Sequence, residues 1–275
     1  MRPHRGRIAR KNAKVADRPE RLVALEGALN CRDLGGYETS DGRVTRWGRV
    51  YRSDGLDQLT DADLDLIAEL GIRLVIDFRI DREVDLAPSR LPDHPELRRQ
   101  RLPIGDDVAG TTVIERIQSG ELRSYSADEV AATYEKILEE AAHEFGVTLT
   151  HAADPANHPM LFHCTAGKDR TGLMAMLLLG ALGVPNDEIA RDYELTTHYR
   201  SSKRLVILRP QLEAAGVDVD AVLPFLTAQA PVMAATIAAL EARHGSIEGY
   251  LGGPAGVPRR TLEQLRAHLT DSVKA

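Results

Sequence analysis

Cys164 and Arg170 stand with five residues between them in the run His163-Cys164-Thr165-Ala166-Gly167-Lys168-Asp169-Arg170-Thr171-Gly172. A thiol and a guanidinium at that spacing can enclose an oxyanion when the chain between them forms a tight loop. A short apolar run, residues 160–162, leads in, and a longer one, residues 173–184, leads out. This pattern predicts a strand, a loop and a helix. The loop amides and the helix N-terminus would then face one point, a geometry suited to phosphate.

Each residue type has a part in that chemistry. Cys164 is the candidate nucleophile, because helix N-termini and nearby cations favour the thiolate form of a cysteine. A thiolate can attack phosphorus and form a phosphocysteine. Arg170 carries a planar fork that fits two phosphate oxygens, which lysine cannot reproduce. The backbone N–H groups of Thr165, Ala166, Gly167, Lys168, Asp169 and Arg170 would hold the remaining charge as it spreads in the transition state. Gly167 permits the left-handed backbone such a loop needs. Thr171 can donate its hydroxyl to the thiolate, and His163 is expected to orient the loop from beneath. Lys168 adds positive charge at the pocket floor. A cysteine and an arginine at this spacing are otherwise a small core residue and a common cation. The surrounding His, Gly and Thr-Gly, in a strand-to-helix context, favour chemistry.

Hydrolysis also needs a proton for the leaving oxygen. Asp169 is the first candidate. Asp77, at the carboxyl end of a predicted strand, is the second, since sites in parallel sheets lie at that edge. A structural ion pair is the plainer role for either carboxylate, and Arg52 or Arg79 would be the partner of Asp77.

The elements that position these groups read as α/β with a mostly parallel sheet flanked by helices and an all-helical part after the loop. Residues 43–51 alternate as a short strand. Thr60 caps a helix over residues 61–70, and residues 72–79 form a β-branched buried strand. Residues 97–103 hold a further strand, and residues 128–153 an amphipathic helix. Asn186 is expected to cap the next helix, and the remaining segments run as helices to about residue 269. Residues 106–127, rich in Gly, Ser and Thr, read as a lid insertion into one domain spanning residues 21–275.

Residues 1–18 carry seven Lys or Arg against one acid, a net +6, which leaves 28 bases and 40 acids, −12, for the rest. An acidic body argues against nucleic acid as a partner. The basic segment, residues 1–20, reads as a disordered tail, with weak contact to an anionic membrane as its functional alternative. No apolar run is long enough to span a membrane, and no secretory signal follows the basic head. The expected location is the cytoplasm, with signal-independent secretion left open. Two cysteines, Cys31 and Cys164, make no disulfide framework, and the histidines show no ligand spacing. No metal and no cofactor are expected. Cys31 is either a buried structural residue or a redox partner for Cys164.

The run from His163 to Gly172 resembles the loop of the bacterial atypical tyrosine/lipid phosphatases. Asn30-Cys31-Arg32-Asp33-Leu34-Gly35-Gly36 is similar to an N-terminal segment of that family, with Cys31 in place of an aromatic residue. Tyr51-Arg52-Ser53-Asp54, Asp77-Phe78-Arg79 and the stretch from Gly245 to Leu251 are also similar to family segments. The resemblance implies a tyrosine-phosphatase-like fold and metal-independent hydrolysis of phosphomonoesters. It implies phosphotyrosine, phosphoserine/threonine or phosphoinositide substrates, and it too points to Asp169 as the acid. Lysines like Lys168 in lipid phosphatases favour highly phosphorylated head groups. Three other readings stand beside it: a phosphoinositide-specific phosphatase, a rhodanese-like sulfur transferase, and a phosphate-recognising module without turnover. The Arg170-Thr171 pair argues against the sulfur transferase, and retention of both Cys164 and Arg170 argues against the module.

Overall fold

The computed structural model describes residues 21–105 and 113–272. Its strands are β1 (Arg32–Asp33), β2 (Arg43–Thr45), β3 (Val50–Ser53), β4 (Leu74–Asp77), β5 (Arg98–Arg101), β6 (Met160–His163) and β7 (Thr270–Ser272). The helices before the loop are α1 (Asp61–Glu69), α2 (Asp81–Leu86), α3 (Val113–Gln118), α4 (Ala127–Glu140) and α5 (Ala142–Ala153). After it come α6 (Asp169–Ala181), α7 (Asn186–Thr196), α8 (Ser202–Ala214), α9 (Val219–Leu226), α10 (Ala230–His244), α11 (Ile247–Gly252) and α12 (Arg259–Leu269).

One sheet runs β1-β3-β6-β4-β5. The β3–β6, β6–β4 and β4–β5 pairs are parallel and only β1 is antiparallel. This is the expected α/β architecture. Both faces of the sheet are covered. Val50, Leu74, Ile76, Met160 and Phe162 face a large core with α4, α5 and α6, while Tyr51, Val75 and Leu161 face a second core with α1. Alternate side chains of a strand point to opposite faces, so a strand covered on both sides must be apolar throughout. The parallel register then sets Ser53, His163 and Asp77 side by side at the carboxyl edge. Cys164 leaves the sheet from the middle of that row.

Helix α6 is buried almost all round, from Thr171 to Leu179, which is why its sequence shows one continuous apolar run rather than a stripe. Thr60 does cap α1, with Asp63 returning the bond in a capping box. Four details differ from the sequence reading. The helix expected over residues 128–153 breaks at Ala141, which has φ −106° and ψ 21°. Gly146, a glycine that would be expected to weaken the helical pattern, sits inside α5, where a Cβ would lie 2.0 Å from the carbonyl oxygen of Ala255 and the glycine instead permits close packing. The strand expected over residues 43–51 is two strands parted by Gly48 at φ +70°, and β2 pairs with the polar β7, which shows no apolar alternation. Asn186 is the first residue of α7, with Pro185 at the cap.

The basic segment 1–20 lies outside the described residues, as do residues 106–112 of the expected lid. The rest of that insertion contributes α3. Ile117 of α3 packs with Leu208, Leu212, Val219 and Val222 of α8 and α9 in a small separate apolar cluster.

Candidate active site

The loop begins directly beneath the sheet edge. His163 is fully buried, with Nδ1 3.2 Å from the Cys164 carbonyl oxygen and Nε2 3.6 Å from Asp77 Oδ2. Burial holds its pKa below the usual histidine value despite the Asp77 carboxylate. Asp77 itself is gripped by the Arg79 fork at 3.0 Å and 2.7 Å. Burial alone would raise its pKa, but the Arg79 hydrogen bonds and His163 outweigh burial and hold it below the usual range.

Cys164 lies at the base of the loop and is 1% exposed. The loop carbonyls are turned outward. Thr165 O accepts from Gly55 N at 3.1 Å, and Lys168 O accepts from Gly172 N at 2.8 Å. Gly167 O accepts from Asn30 Nδ2 at 3.0 Å and Arg52 Nη2 at 2.8 Å. Among the described residues, none of the backbone N–H groups from Thr165 to Arg170 donates to a protein acceptor. Gly167 has φ +62°, and a Cβ there would lie 2.6 Å from Ser53 O. Only glycine meets both demands. Thr171 Oγ1 is buried without a partner among the described residues, so the expected hydrogen bond to the thiol is not formed.

Arg170 is held by a residue the sequence reading did not single out. Glu83 on α2 accepts from Nη1 and Nη2 at 2.6 Å each. Phe78 O and Ile104 O take further contacts from Nη1 at 3.2 Å and 3.3 Å. The Nη1–Nη2 edge of the guanidinium is thus occupied, while the Nε side makes no hydrogen bond among the described residues and leaves the Nε–Nη2 edge to a second bidentate partner. Glu83 also accepts the Thr165 hydroxyl and the Ile80 N–H. Burial alone would raise its pKa, but Arg170 outweighs this and keeps it a carboxylate. Glu83→Gln keeps the shape but loses a charged grip on Arg170, so kcat for phosphate release is expected to fall about 10-fold. Steady-state kinetics check this; an unchanged kcat would show that Arg170 is positioned without Glu83.

Asp169 opens α6 with its side chain 30% exposed. The Tyr134 hydroxyl donates to its Oδ1, and the Tyr134 hydroxyl is in turn 2.6 Å from that of Tyr193. The Lys168 ammonium lies 3.2 Å from the same carboxylate oxygen, donates to the Phe225 carbonyl of α9 and sits 4.8 Å from the centre of that ring. Its charge is spent on these contacts rather than aimed over Cys164. A cleft of about 370 Å³ adjoins Asp169 and Arg170 and is walled by Ile80, Leu86, Ile104 and Ile137.

Behind the loop lies a fully buried ion cluster. Asp192 on α7 accepts from Arg32 Nε at 3.0 Å, Arg52 Nη1 at 2.6 Å and Tyr37 OH at 2.8 Å. The two arginines, with Asn30, form the wall against which the Gly167 carbonyl is bonded. Arg32, Arg52 and Asn30 fall in segments singled out by resemblance, but no local signal marks Asp192. Cys31 is buried in the core shared with α1, whereas Cys164 belongs to the larger core. Burial, with the Asp54 carboxylate beside it, pushes the Cys31 thiol up to about 12. That environment suits a structural cysteine rather than a reactive one.

Fold and loop together are those of a tyrosine-phosphatase-like enzyme. Residues 23–271 match the tyrosine phosphatase family, and the chain belongs to it. It is 32% identical over 224 residues to a tyrosine-protein phosphatase of Nostoc commune, covering 79% of this chain and 73% of that one. It is 30% identical over 285 residues to the triple specificity protein phosphatase PtpB of Mycobacterium tuberculosis, covering 89% and 98%. Among solved structures, TpbA of P. aeruginosa aligns at 17% identity and a TM-score of 0.31, covering 68% of this chain and 91% of that one. The protein is therefore an enzyme of the phosphatase class, and the sulfur-transferase reading falls away. No group of three or more His, Cys, Asp or Glu is placed to hold a metal ion among the described residues. None of their single helices is long and apolar enough to cross a membrane.

Proposed function

We propose that the protein hydrolyses phosphotyrosine-type phosphomonoesters through a phosphocysteine intermediate. The observation that carries this reading is the row of unpaired amides from Thr165 to Arg170 around the buried Cys164. Those donors, with the open Nε–Nη2 edge of Arg170, match the three non-bridging oxygens of a phosphate. In the first step Cys164 Sγ forms a bond to phosphorus as the ester P–O bond breaks. The leaving oxygen takes the bond's electrons and a proton from Asp169. In the second step water attacks phosphorus, Asp169 takes its proton, and the S–P bond breaks to return the thiolate.

Asp169 is the better placed acid. It borders the cleft, whereas Asp77 lies below the loop and is held by both arms of Arg79. Asp77 then serves to position His163 beneath Cys164. The apolar walls of the cleft favour an aryl ester over a short aliphatic one.

The test compares substrates as well as variants. The enzyme is expected to release phosphate from p-nitrophenyl phosphate and to form no thiocyanate from thiosulfate. Phosphotyrosine peptides should be turned over faster than phosphoserine peptides or phosphoinositides. Asp169→Asn should lower kcat by about 10²–10⁴ on a phosphotyrosine peptide. The loss should be much smaller on p-nitrophenyl phosphate, whose leaving group needs no proton. Equal losses on both substrates would remove Asp169 from the role of acid.

A further inference from the structure

Among the described residues the large hydrophobic side chains that stand exposed are Leu86 at 77%, Val206 at 74% and Ile207 at 67%. Leu86 ends α2, the helix that supplies Glu83 to Arg170. Val206 and Ile207 lie on α8, whose entry carries Arg200. Arg200 Nε is 2.9 Å from Asp54, and Asp54 accepts the backbone N–H of Asn30, whose side chain bonds Gly167. Leu86 thus stands on the helix that bonds Arg170, and α8 follows on Arg200, which reaches the phosphate loop through Asp54 and Asn30.

Helix α8 already has an inner face. Leu205, Leu208 and Leu212, at positions i, i+3 and i+7, pack into the small cluster with α3 and α9. A surface helix normally turns polar residues outward, yet Val206 and Ile207 lie off that stripe. Lys203 and Arg204 flank them on the helix, while Arg209 is paired with Glu213 at 3.6 Å and Arg200 with Asp54 at 2.9 Å, in a chain of net charge −6. Lys203, Arg204 and Arg209 are exposed.

Exposed aliphatic side chains beside long basic ones suit the boundary between lipid head groups and acyl chains, and anionic lipid attracts basic residues placed there. Protein partners are usually anchored instead by aromatic residues seated in packed pockets, and α8 presents no aromatic side chain. We infer that the outer face of α8 docks the protein on an anionic lipid bilayer. The docking is independent of the hydrolytic reading.

The test is sedimentation of the full chain with vesicles of phosphatidylcholine, with or without roughly a third phosphatidylserine. Binding is expected only with phosphatidylserine and should weaken as salt rises. Val206→Asp combined with Ile207→Asp should lower vesicle affinity about 10-fold or more, while release of phosphate from soluble p-nitrophenyl phosphate stays unchanged. Should that variant lose activity, Lys203→Glu with Arg204→Glu takes its place, with the same loss of binding expected. The inference is overturned if the full chain stays in the supernatant. It is equally overturned if folded variants bind as well as the unaltered chain, which would assign binding to the basic residues 1–18. A dimer in light scattering that the aspartate variant dissociates, without vesicle binding, would make the face a self-contact and also refute it.

Discussion

Cys164→Ser is expected to abolish phosphate release, by about 10⁴-fold or more, while phosphotyrosine peptides still bind. The two effects separate because they rest on different atoms. A serine hydroxyl stays protonated and is a poor nucleophile without a base beside it. The loop amides and Arg170 are untouched, and serine fills less volume than cysteine at a site only 1% exposed. Single-turnover assays and calorimetric titration with a phosphotyrosine peptide would read both quantities. Retained hydrolysis would sink the nucleophile assignment. Lost binding with a normal melting profile would show that sulfur, rather than the amides, carries recognition.

Asp192→Asn should cost about 3–5 kcal/mol of stability at neutral pH, because it leaves two buried guanidinium groups facing a neutral side chain. Burial pulls the Arg52 guanidinium down to about 10 and the neighbouring Arg32 adds to this, with Asp192 opposing both. For Asp192 burial favours the neutral form, but Arg32 and Arg52 outweigh it and hold the carboxyl well below its usual range. A depressed carboxylate stabilises the fold fully above its unfolded-state value and ceases to do so as pH falls through the folded one. The stability gap between the two proteins should therefore be flat from neutral pH to about 4 and narrow only in stronger acid. Urea titrations across that range check the sign; a gap that widens on acidification would contradict the assignment. Activity should fall too, since Arg52 and Asn30 grip the Gly167 carbonyl that turns the loop. If kcat and KM both stay unchanged in the folded variant, the cluster serves stability alone.

Much of the site was legible because it is contiguous. Strand β6, the loop and the start of α6 follow one another, so the apolar run, Gly167 and the Cys164–Arg170 spacing carry the local geometry without reference to the rest of the chain. The cap at Thr60 and most helices after the loop were readable for the same reason. The break at Ala141 was not, because both flanking turns continue the same apolar period. Nor was β7, whose place depends on finding β2 more than two hundred residues earlier.

Charge pairing was the least legible feature. Lysine beside a phosphate loop reads as a phosphate ligand, yet the Lys168 ammonium turns to the Phe225 carbonyl, because α9 brings an acceptor and an aromatic face to it. Arg52 and Arg79 were both open partners for Asp77. Strand geometry decided between them: Arg79 lies two residues on and folds back, while Arg52 is claimed by Asp192.

The sequence by itself marked the candidate reacting groups: a cysteine at a strand end, an arginine at a helix start, and the glycine that the turn of the loop between them requires. Tertiary structure alone decided what holds them. Glu83 meets Arg170 across 87 residues of chain, and Asp192 meets Arg52 across 140. Such contacts form only after large loops close around a covered sheet, and no spacing within a single helix or strand encodes them.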